Sequence, residues 1–346
     1  MNGVTQGGNA CPFDRRMRGW VEGDLIPASL TFHPERTPTV DRPEFQLIDW
    51  IRSRVRDRDP VVVGIGDDAA VLRATASGEM LVATDMLLEG VHFTFPSASP
   101  QQAGRKALAV NLSDIAAMGG RATAAFVSVA LPVDRGMEFA RDVHAGLLEL
   151  ADQYDVVLAG GDTNSWRGPL VINVAVVGES IGSHPVLRSG AKPGDWLFIT
   201  GSLGGSLAGR HLTFEPRLRE VSLLQQLVDV HAMLDISDGL AADLHHMLNQ
   251  SHVGAVLVAD HIPVSAAAVE QATAERSALA RALSDGEDFE LLFSVSPDDG
   301  RRLVSLWDDA TPVTHIGHIT ADSGCWLIDH TGRREPLPPL GWTHVI

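Results

Sequence analysis

Acidic residues recur in this sequence at the ends of apolar segments, beside glycine, serine or threonine. One such acid on its own is usually a helix cap or a turn former. Several segments with the same arrangement favour divalent cations held by carboxylate oxygens, as in Mg²⁺ sites that share their ligands with substrate phosphates. The segments are Gly66-Asp67-Asp68, Thr84-Asp85, Asn111 with Asp114, Gly160-Gly161-Asp162-Thr163 and Asp235-Ile236-Ser237-Asp238-Gly239.

The first of these acids lie in Gly64-Ile65-Gly66-Asp67-Asp68-Ala69, which partly matches the glycine fingerprint of dinucleotide-binding folds. The match fails on chemistry, because two carboxylates would face a pyrophosphate and the following Ala70-Val71-Leu72 favours a strand over a helix. Taken alone, the acidic pair has a solvated turn as its alternative. Together with the other acidic segments, it favours a site for a hard cation.

The charge balance limits the partners of the protein. The chain of 346 residues has 44 Asp and Glu against 27 Lys and Arg, which gives a formal net charge of −17. This surplus argues against a nucleic-acid surface and against a polybasic membrane surface, because both need Lys and Arg. It does not exclude phosphate as a substrate, since bound Mg²⁺ would cancel part of the negative charge and attract phosphate oxygens.

Other catalytic chemistries lack their signatures. The sequence has no P-loop motif, no protein-kinase motif and no nucleophile elbow. Its two cysteines, Cys11 and Cys325, have no plausible histidine and acid nearby in sequence, so no covalent nucleophile is predicted. The pairs His245-His246 and His315 with His318 lack the frame of a zinc site.

Phosphate has further candidate contacts. The glycine-rich stretch 200–206 lies between a predicted strand and a predicted helix, and it either cradles phosphate or makes a tight turn with close packing. Lys106, Arg188 and Lys192 either bind phosphate oxygens or are solvated surface charges. The sequence pattern leaves both questions open.

Hydrophobic periodicity predicts an α/β protein with α+β layers and two domains. We expect a flexible N-terminal extension over 1–42, an N-terminal domain over 43–182 and a C-terminal α/β domain over 183–346, because residues 183–194 combine Pro and Gly without an apolar period. Ser99 and Pro100 predict the start of a helix. Predicted strands are 61–63, 80–84, 123–131, 156–159, 170–177, 196–200, 255–258, 289–295 and 313–319, and predicted helices are 100–118, 134–151, 238–248, 266–283 and 301–307.

The sequence also shows no membrane-span or secretory-signal pattern. No apolar run approaches the roughly 18 residues of a membrane span. The N-terminus lacks the charged and apolar regions of a secretory signal. We therefore expect a cytoplasmic protein.

A series of motifs resembles the thiamine-monophosphate kinases of the aminoimidazole-ribonucleotide-synthetase-like superfamily. The resemblance runs from about Glu44 to the C-terminus, and the order of the motifs makes it specific. The motifs are GIGDDAAVL, ATDMLLEGVHF, KALAVNLSDIAAMGG, GGDT, RSGAKPGDWLFITG, LDISDGLAADL and SDGEDFELLF.

The resemblance implies a two-domain fold whose N-terminal domain binds metal and ATP and forms a homodimer through its sheet. It implies direct transfer of the γ-phosphoryl group of ATP to thiamine monophosphate, giving thiamine diphosphate and ADP without a phosphoenzyme. Several Mg²⁺ ions are implied as cofactors, while their number and any role of K⁺ stay open.

The resemblance also assigns roles to individual positions. Metal-binding positions of the family match Asp68, Thr84, Asp85, Asp114, Asp162, Asp235 and Asp238. ATP-binding positions match Gly161, Asp162, Arg188 and Ser237. Substrate-binding positions match His92 and Glu287, with Trp342 as the candidate that packs on the thiamine rings.

Two positions depart from the family pattern. Ala83 stands where some members have a serine that helps to hold one Mg²⁺, and Pro339 aligns with the expected aromatic residue, three positions before Trp342.

The alternative functions are an aminoimidazole ribonucleotide synthetase, a selenophosphate synthetase, a carbamoyl-dehydrating hydrogenase maturation protein and a non-catalytic nucleotide-binding scaffold. A selenophosphate synthetase would need a reactive residue that Cys11-Pro12-Phe13-Asp14 does not supply, and the maturation protein ends in a cysteine, whereas this chain ends in Ile346.

Overall fold

A four-stranded sheet forms the first half of the fold. The computed structural model describes Leu47 and residues 50–55, 58–63, 71–73 and 80–342, so the predicted extension 1–42 and Asp68 lie outside the described residues. The strand order is β3-β6-β4-β5, with β4 and β5 parallel and the other pairs antiparallel. The strands are β3 (Leu81–Leu88), β4 (Gly120–Pro132), β5 (Val157–Trp166) and β6 (Val171–Ser180), preceded by the short antiparallel pair β1 (Val61–Val63) and β2 (Val71–Leu72).

Two long helices pack together beside this sheet. Helix α1 (Pro100–Ala117) begins where the sequence predicts, because the Ser99 hydroxyl accepts from the Gln102 amide at 3.1 Å and the Gln102 side chain accepts from the Ser99 amide at 2.8 Å. Helix α2 (Gly136–Gln153) provides the crossover that parallel β4 and β5 require. The two helices approach so closely that a Cβ atom on Gly104 would lie 1.9 Å from the carbonyl oxygen of Val143.

A seven-stranded sheet forms the second half, in the order β13-β12-β9-β11-β7-β10-β8. Its strands are β7 (Trp196–Thr200), β8 (Val230–Asp235), β9 (Gly254–Val258), β10 (Leu291–Val295), β11 (Val313–Thr320), β12 (Gly324–Ile328) and β13 (Arg334–Pro336). The helices are α3 (Leu218–Leu227), α4 (Leu240–Ser251), α5 (Ala266–Glu270), α6 (Ala278–Ser284) and α7 (Pro297–Leu306), with 3₁₀ turns at Ser206–Ala208, Arg210–Leu212 and Ala259–His261.

The structure corrects several predicted elements. The helix predicted after the glycine-rich stretch 200–206 is replaced by the 3₁₀ turns Ser206–Ala208 and Arg210–Leu212. The helix expected over 266–283 is two helices, because Ser277 caps a new helix through its hydroxyl, which accepts from the Ala280 amide at 3.1 Å. Strand β3 continues to Leu88 and β5 continues to Trp166, so both are longer than predicted. The β5 extension carries polar side chains, which the apolar pattern cannot mark as strand, whereas the β3 extension adds Asp85 followed by Met86, Leu87 and Leu88.

The two halves share their hydrophobic packing. Ala116 and Ala117 at the end of α1 pack with Phe198 of β7, and Phe214 and Phe289 pack with the cluster around the four-stranded sheet. All described residues belong to one compact unit, and the boundary between 182 and 183 stays a prediction. Within the described ranges, no helix combines the length and apolar character needed to cross a bilayer.

Candidate active site

A cavity of about 250 Å³ lies where the two halves meet. Its wall is built from the end of β3 and the turn after it, from α1, from the turn between β8 and α4, and from the segment that precedes β10. Acidic side chains dominate the polar part of this wall. They are Asp85, Asp114, Asp235, Asp238, Asp285 and Glu287.

Secondary structure explains why these acids converge. Lys106, Val110 and Asp114 lie four residues apart along α1, so they form one stripe along the cavity. Asp85 lies on β3, whose alternation turns it away from the exposed face that carries Thr84. Asp235 ends β8, and Asp238 follows in the turn to α4.

The acids repel one another in a partly dry environment. Burial, followed by repulsion from Asp235 and Asp85, raises the pKa of Asp114 to about 8. Burial also raises the pKa of Asp85 and of Asp235, while the Ser113 hydroxyl opposes the shift at Asp235 by donating to its carboxylate at 2.6 Å. The positive charge of Arg188 lowers the pKa of both Asp114 and Asp235. A bound cation would relieve this repulsion.

The donor set fits Mg²⁺. Asp85, Asp114, Asp235 and Asp238 offer only oxygen ligands, and hard cations such as Mg²⁺ prefer carboxylate oxygens. The predicted substrate positions share the same cavity, so metal and substrate positions are neighbours rather than separate sites. These positions are His92, Glu287 and Trp342, with Ser237 from the predicted ATP set.

The polar substrate positions are held by specific contacts. The ring of His92 accepts a hydrogen bond on Nδ1 from the Leu88 amide at 3.0 Å, which leaves Nε2 to carry the proton of the neutral ring. The carboxylate of Glu287 forms an ion pair with Lys106, whose ammonium also donates to the His92 carbonyl oxygen at 2.7 Å. The two polar substrate positions are therefore joined through one lysine.

An apolar wall completes the cavity. Val91, Leu207 and Trp342 line it while remaining 52%, 60% and 56% exposed. Exposed apolar side chains that gather in a cleft are typical of ligand-binding walls. The cavity therefore has an acidic part and an apolar part, which suits a ligand with a phosphate and a ring system.

Other predicted residues lie outside the lining of this cavity. Thr84 is on the exposed face of β3, where its hydroxyl accepts from the Asn173 amide group at 3.2 Å. Gly161 and Asp162 are exposed on β5, and the carboxylate of Asp162 accepts from Asn164 at 2.9 Å. Arg188 is exposed, but its positive charge lies close enough to lower the pKa of Asp114 and of Asp235. Three of the four predicted ATP contacts, Gly161, Asp162 and Arg188, are thus outside the lining of the cavity.

The glycine-rich stretch 200–206 is a packing turn. The amide of Gly204 donates to the Asp288 carboxylate at 2.9 Å, and that of Gly205 donates to Asp285 at 3.0 Å. A Cβ atom on Gly204 would lie 2.7 Å from the amide nitrogen of Ala282, so the glycine permits close contact with α6. Because these amides already have carboxylate partners, they do not form the phosphate cradle that the sequence left open.

Two polar residues on α1 differ from the sequence reading. Asn111 is fully buried and donates to the Ala107 carbonyl oxygen at 3.0 Å, so it bonds within its own helix and does not line the cavity. Ser113, which sequence reasoning missed, lies two residues further along α1 and donates to the Asp235 carboxylate. A serine inside a helix carries no sequence signal that separates such a support role from ordinary helix packing.

Comparison with known proteins decides the family. A family model for the N-terminal domain of AIR synthase related proteins matches residues 66–180, and the model for the C-terminal domain matches residues 192–329. The thiamine-monophosphate kinase of Rhodopirellula baltica is 42% identical over 309 residues, which span 87% of this chain and 97% of that protein. The chain belongs to the thiamine-monophosphate kinase family.

Solved structures support the same family. The thiamine-monophosphate kinase of Stenotrophomonas maltophilia K279a is 35% identical with a TM-score of 0.71, covering 82% of this chain and 96% of that chain. The structure of AaThiL complexed with AMPPCP and TMP is 30% identical with a TM-score of 0.68, covering 87% of this chain and 97% of that chain. The predicted family and the α/β fold with two AIR-synthase-type domains are confirmed, and the rival members of the superfamily are set aside.

Proposed function

We propose that this protein transfers the γ-phosphoryl group of ATP to the phosphate of thiamine monophosphate. An acceptor phosphate oxygen forms a bond to the γ-phosphorus, the bond from that phosphorus to the β-γ bridging oxygen breaks, and the products are thiamine diphosphate and ADP. The observation that carries the proposal is the shared cavity, in which four Asp carboxylates meet His92, Glu287 and Trp342. AaThiL, a structural neighbour, was solved with AMPPCP, an ATP analogue, and with TMP.

The acidic part of the cavity would hold Mg²⁺. We assign the metal to Asp85, Asp114, Asp235 and Asp238, and we retain Asp68, Thr84 and Asp162 as further ligands implied by the family resemblance. When bound, Mg²⁺ neutralises the negative charge of the phosphates that must approach each other. Ser113 and Arg188 favour ionised carboxylates at this end of the cavity, because the hydroxyl and the positive charge both stabilise the charged form.

The residues at the other part of the cavity orient the acceptor. The acceptor phosphate is already ionised at neutral pH, so it needs no general base. His92 would donate a hydrogen bond to thiamine monophosphate from Nε2. Glu287 would place a negative charge beside the bound thiamine monophosphate, and Trp342 would pack on the thiamine rings. We retain Gly161, Asp162, Arg188 and Ser237 as the ATP contacts.

We also propose that the protein forms a homodimer through its four-stranded sheet. Val82 on β3 is 65% exposed and alternates onto the face that carries Thr84, while Met86 on the same face also lines the cavity. An apolar sheet face of this kind usually marks a protein contact. Val82→Asp should convert a dimer to a monomer in light scattering, while Val304→Asp on the exposed part of α7 should not; a wild-type monomer would contradict the dimer.

One assay tests the proposed reaction. Purified protein is incubated with ATP, Mg²⁺ and thiamine monophosphate, and thiamine diphosphate and ADP are separated by chromatography. We expect the two products in equal amounts and none when EDTA removes the metal. Release of ADP without thiamine diphosphate, or ATP binding without turnover, would contradict the proposed function.

A matched pair of histidine variants tests the substrate end of the cavity. His92→Ala should raise the KM for thiamine monophosphate more than it changes the KM for ATP, because the ring lines the part of the cavity that we assign to the acceptor. His318→Ala changes an exposed histidine on β11 and is the control. An unchanged KM for thiamine monophosphate in His92→Ala would remove that residue from the substrate site.

A further inference from the structure

Lys106 is a lysine with no exposed surface. It lies on α1 with 0% exposure, and its ammonium contacts the Glu287 carboxylate and the His92 carbonyl oxygen. Lysines are almost never fully buried unless they are paired. Burial lowers the pKa of Lys106, while the negative charge of Glu287 opposes that change and favours the charged form.

The geometry separates Lys106 from a phosphate ligand. Lys106 lines the cavity, but its side chain has no solvent-exposed surface and its ammonium already donates to two protein oxygens. Its contacts connect three parts of the chain that are distant in sequence: α1, the turn after β3 and the segment before β10. Burial lowers the pKa of His211, and the charges of Lys106 and Glu287 also act on it, so the His211 ring lies near this pair.

The partner segment needs such support. Glu287 and Phe289 have φ angles of 58° and 50°, in the left-handed region that non-glycine residues rarely occupy. Backbone of this kind persists only when surrounding contacts fix it. The amides of Glu287 and Phe289 donate to the carbonyl oxygens of Ser237 and Ile236 at 2.7 and 2.8 Å, and Lys106 fixes the Glu287 side chain.

We propose that Lys106 is a positioning residue that sets the Glu287 carboxylate in the arrangement that the phosphate acceptor requires. This inference rests on the proposed function, because it concerns the thiamine-monophosphate end of the same cavity. Lys106 acts through Glu287 and does not touch substrate. Its removal therefore affects binding of the acceptor much more than binding of ATP.

Steady-state kinetics of Lys106→Met, Glu287→Gln and the double variant test this inference. We expect Lys106→Met to raise the KM for thiamine monophosphate roughly tenfold or more, with less than about a threefold change in the KM for ATP. Because Lys106 acts through Glu287, the double variant should have a KM within about twofold of Glu287→Gln alone. Arg105→Met is the control, since it removes the ion pair with Glu215 from the neighbouring position of α1.

The double variant keeps the inference testable even if Lys106→Met does not fold. If Lys106→Met leaves Glu287 unpaired and does not fold, the neutral pair Lys106→Met with Glu287→Gln is compared with Glu287→Gln, and equal KM values support the inference. An unchanged KM in Lys106→Met, or effects that multiply in the double variant, would overturn it. Failure of the proposed function is distinct, because the wild-type protein itself would then make no thiamine diphosphate.

Discussion

Asp114→Asn should stabilise the metal-free protein while removing its activity. The carboxyl of Asp114 faces Asp85 and Asp235, and its pKa is raised to about 8 from an ordinary value of 3.8. Because the folded pKa lies above the unfolded pKa, the stability that this carboxyl contributes is complete at acidic pH and is lost as the pH rises toward 8. Asparagine has the same shape and never ionises, so the variant avoids this loss.

The size of the gain depends on pH. Each unit of pKa difference corresponds to about 1.4 kcal/mol, so the linkage gives an upper bound of about 4 kcal/mol near pH 7 and about 1.5 kcal/mol near pH 5. Relaxation of the cavity and a higher effective dielectric reduce these values, and we expect a gain in the free energy of unfolding of about 2 kcal/mol near pH 7. The gain should be smaller near pH 5, because Asp114 is then more fully protonated in the folded state and less ionised in the unfolded state.

Denaturant unfolding in EDTA at both pH values measures this difference. Asp152→Asn makes the same chemical change on the exposed part of α2 and should leave the free energy of unfolding nearly unchanged. Added Mg²⁺ should stabilise the wild-type protein and have less effect on Asp114→Asn, which should also lack kinase activity. The reasoning is refuted if Asp114→Asn is less stable than wild type near pH 7 in EDTA, or if the variant retains normal turnover.

Three further substitutions test other parts of the molecule. Gly104→Ala should lower the free energy of unfolding in denaturant by about 2 kcal/mol, because a Cβ atom 1.9 Å from the Val143 carbonyl oxygen outweighs the roughly 1 kcal/mol gain in helix propensity; a stabilised variant would contradict the close helix contact. Ser113→Ala should weaken Mg²⁺ binding about tenfold in calorimetric titration, since it removes the 2.6 Å hydrogen bond to Asp235; unchanged affinity would exclude that support role. Trp342→Ala should raise the KM for thiamine monophosphate about fivefold in steady-state kinetics, and equal changes in the KM for ATP would exclude ring packing.

Local sequence signals predict the elements whose ends depend on nearby residues. Ser99 and Pro100 mark the start of α1, because a side-chain cap and a residue without an amide hydrogen both act within one turn. The break between α5 and α6 is harder to predict, since alanine-rich residues on both sides favour a continuous helix. The contact of α6 with Gly204, which lies far away in sequence, helps to fix its position.

The candidate site shows the same limit. Asp85, Asp114 and Asp235 can be selected from sequence, because an acid beside an apolar element is a local pattern that indicates metal binding. The pairing of Lys106 with Glu287 cannot be selected in this way, since the two residues are 181 positions apart and each has a common surface alternative. Burial of the lysine becomes evident only when both halves of the fold are assembled.

Helix α1 connects the two chemical parts of the cavity. Asp114 lies at the acidic part and Lys106 lies two turns earlier beside Glu287, so one rigid element sets the separation of the proposed metal and acceptor positions. Phosphoryl transfer depends on the alignment of donor and acceptor, and small displacements reduce its rate strongly. The close contact at Gly104 therefore has a second consequence: a shift of α1 away from α2 would move Lys106 and Asp114 together, and activity would fall even though neither side chain had changed.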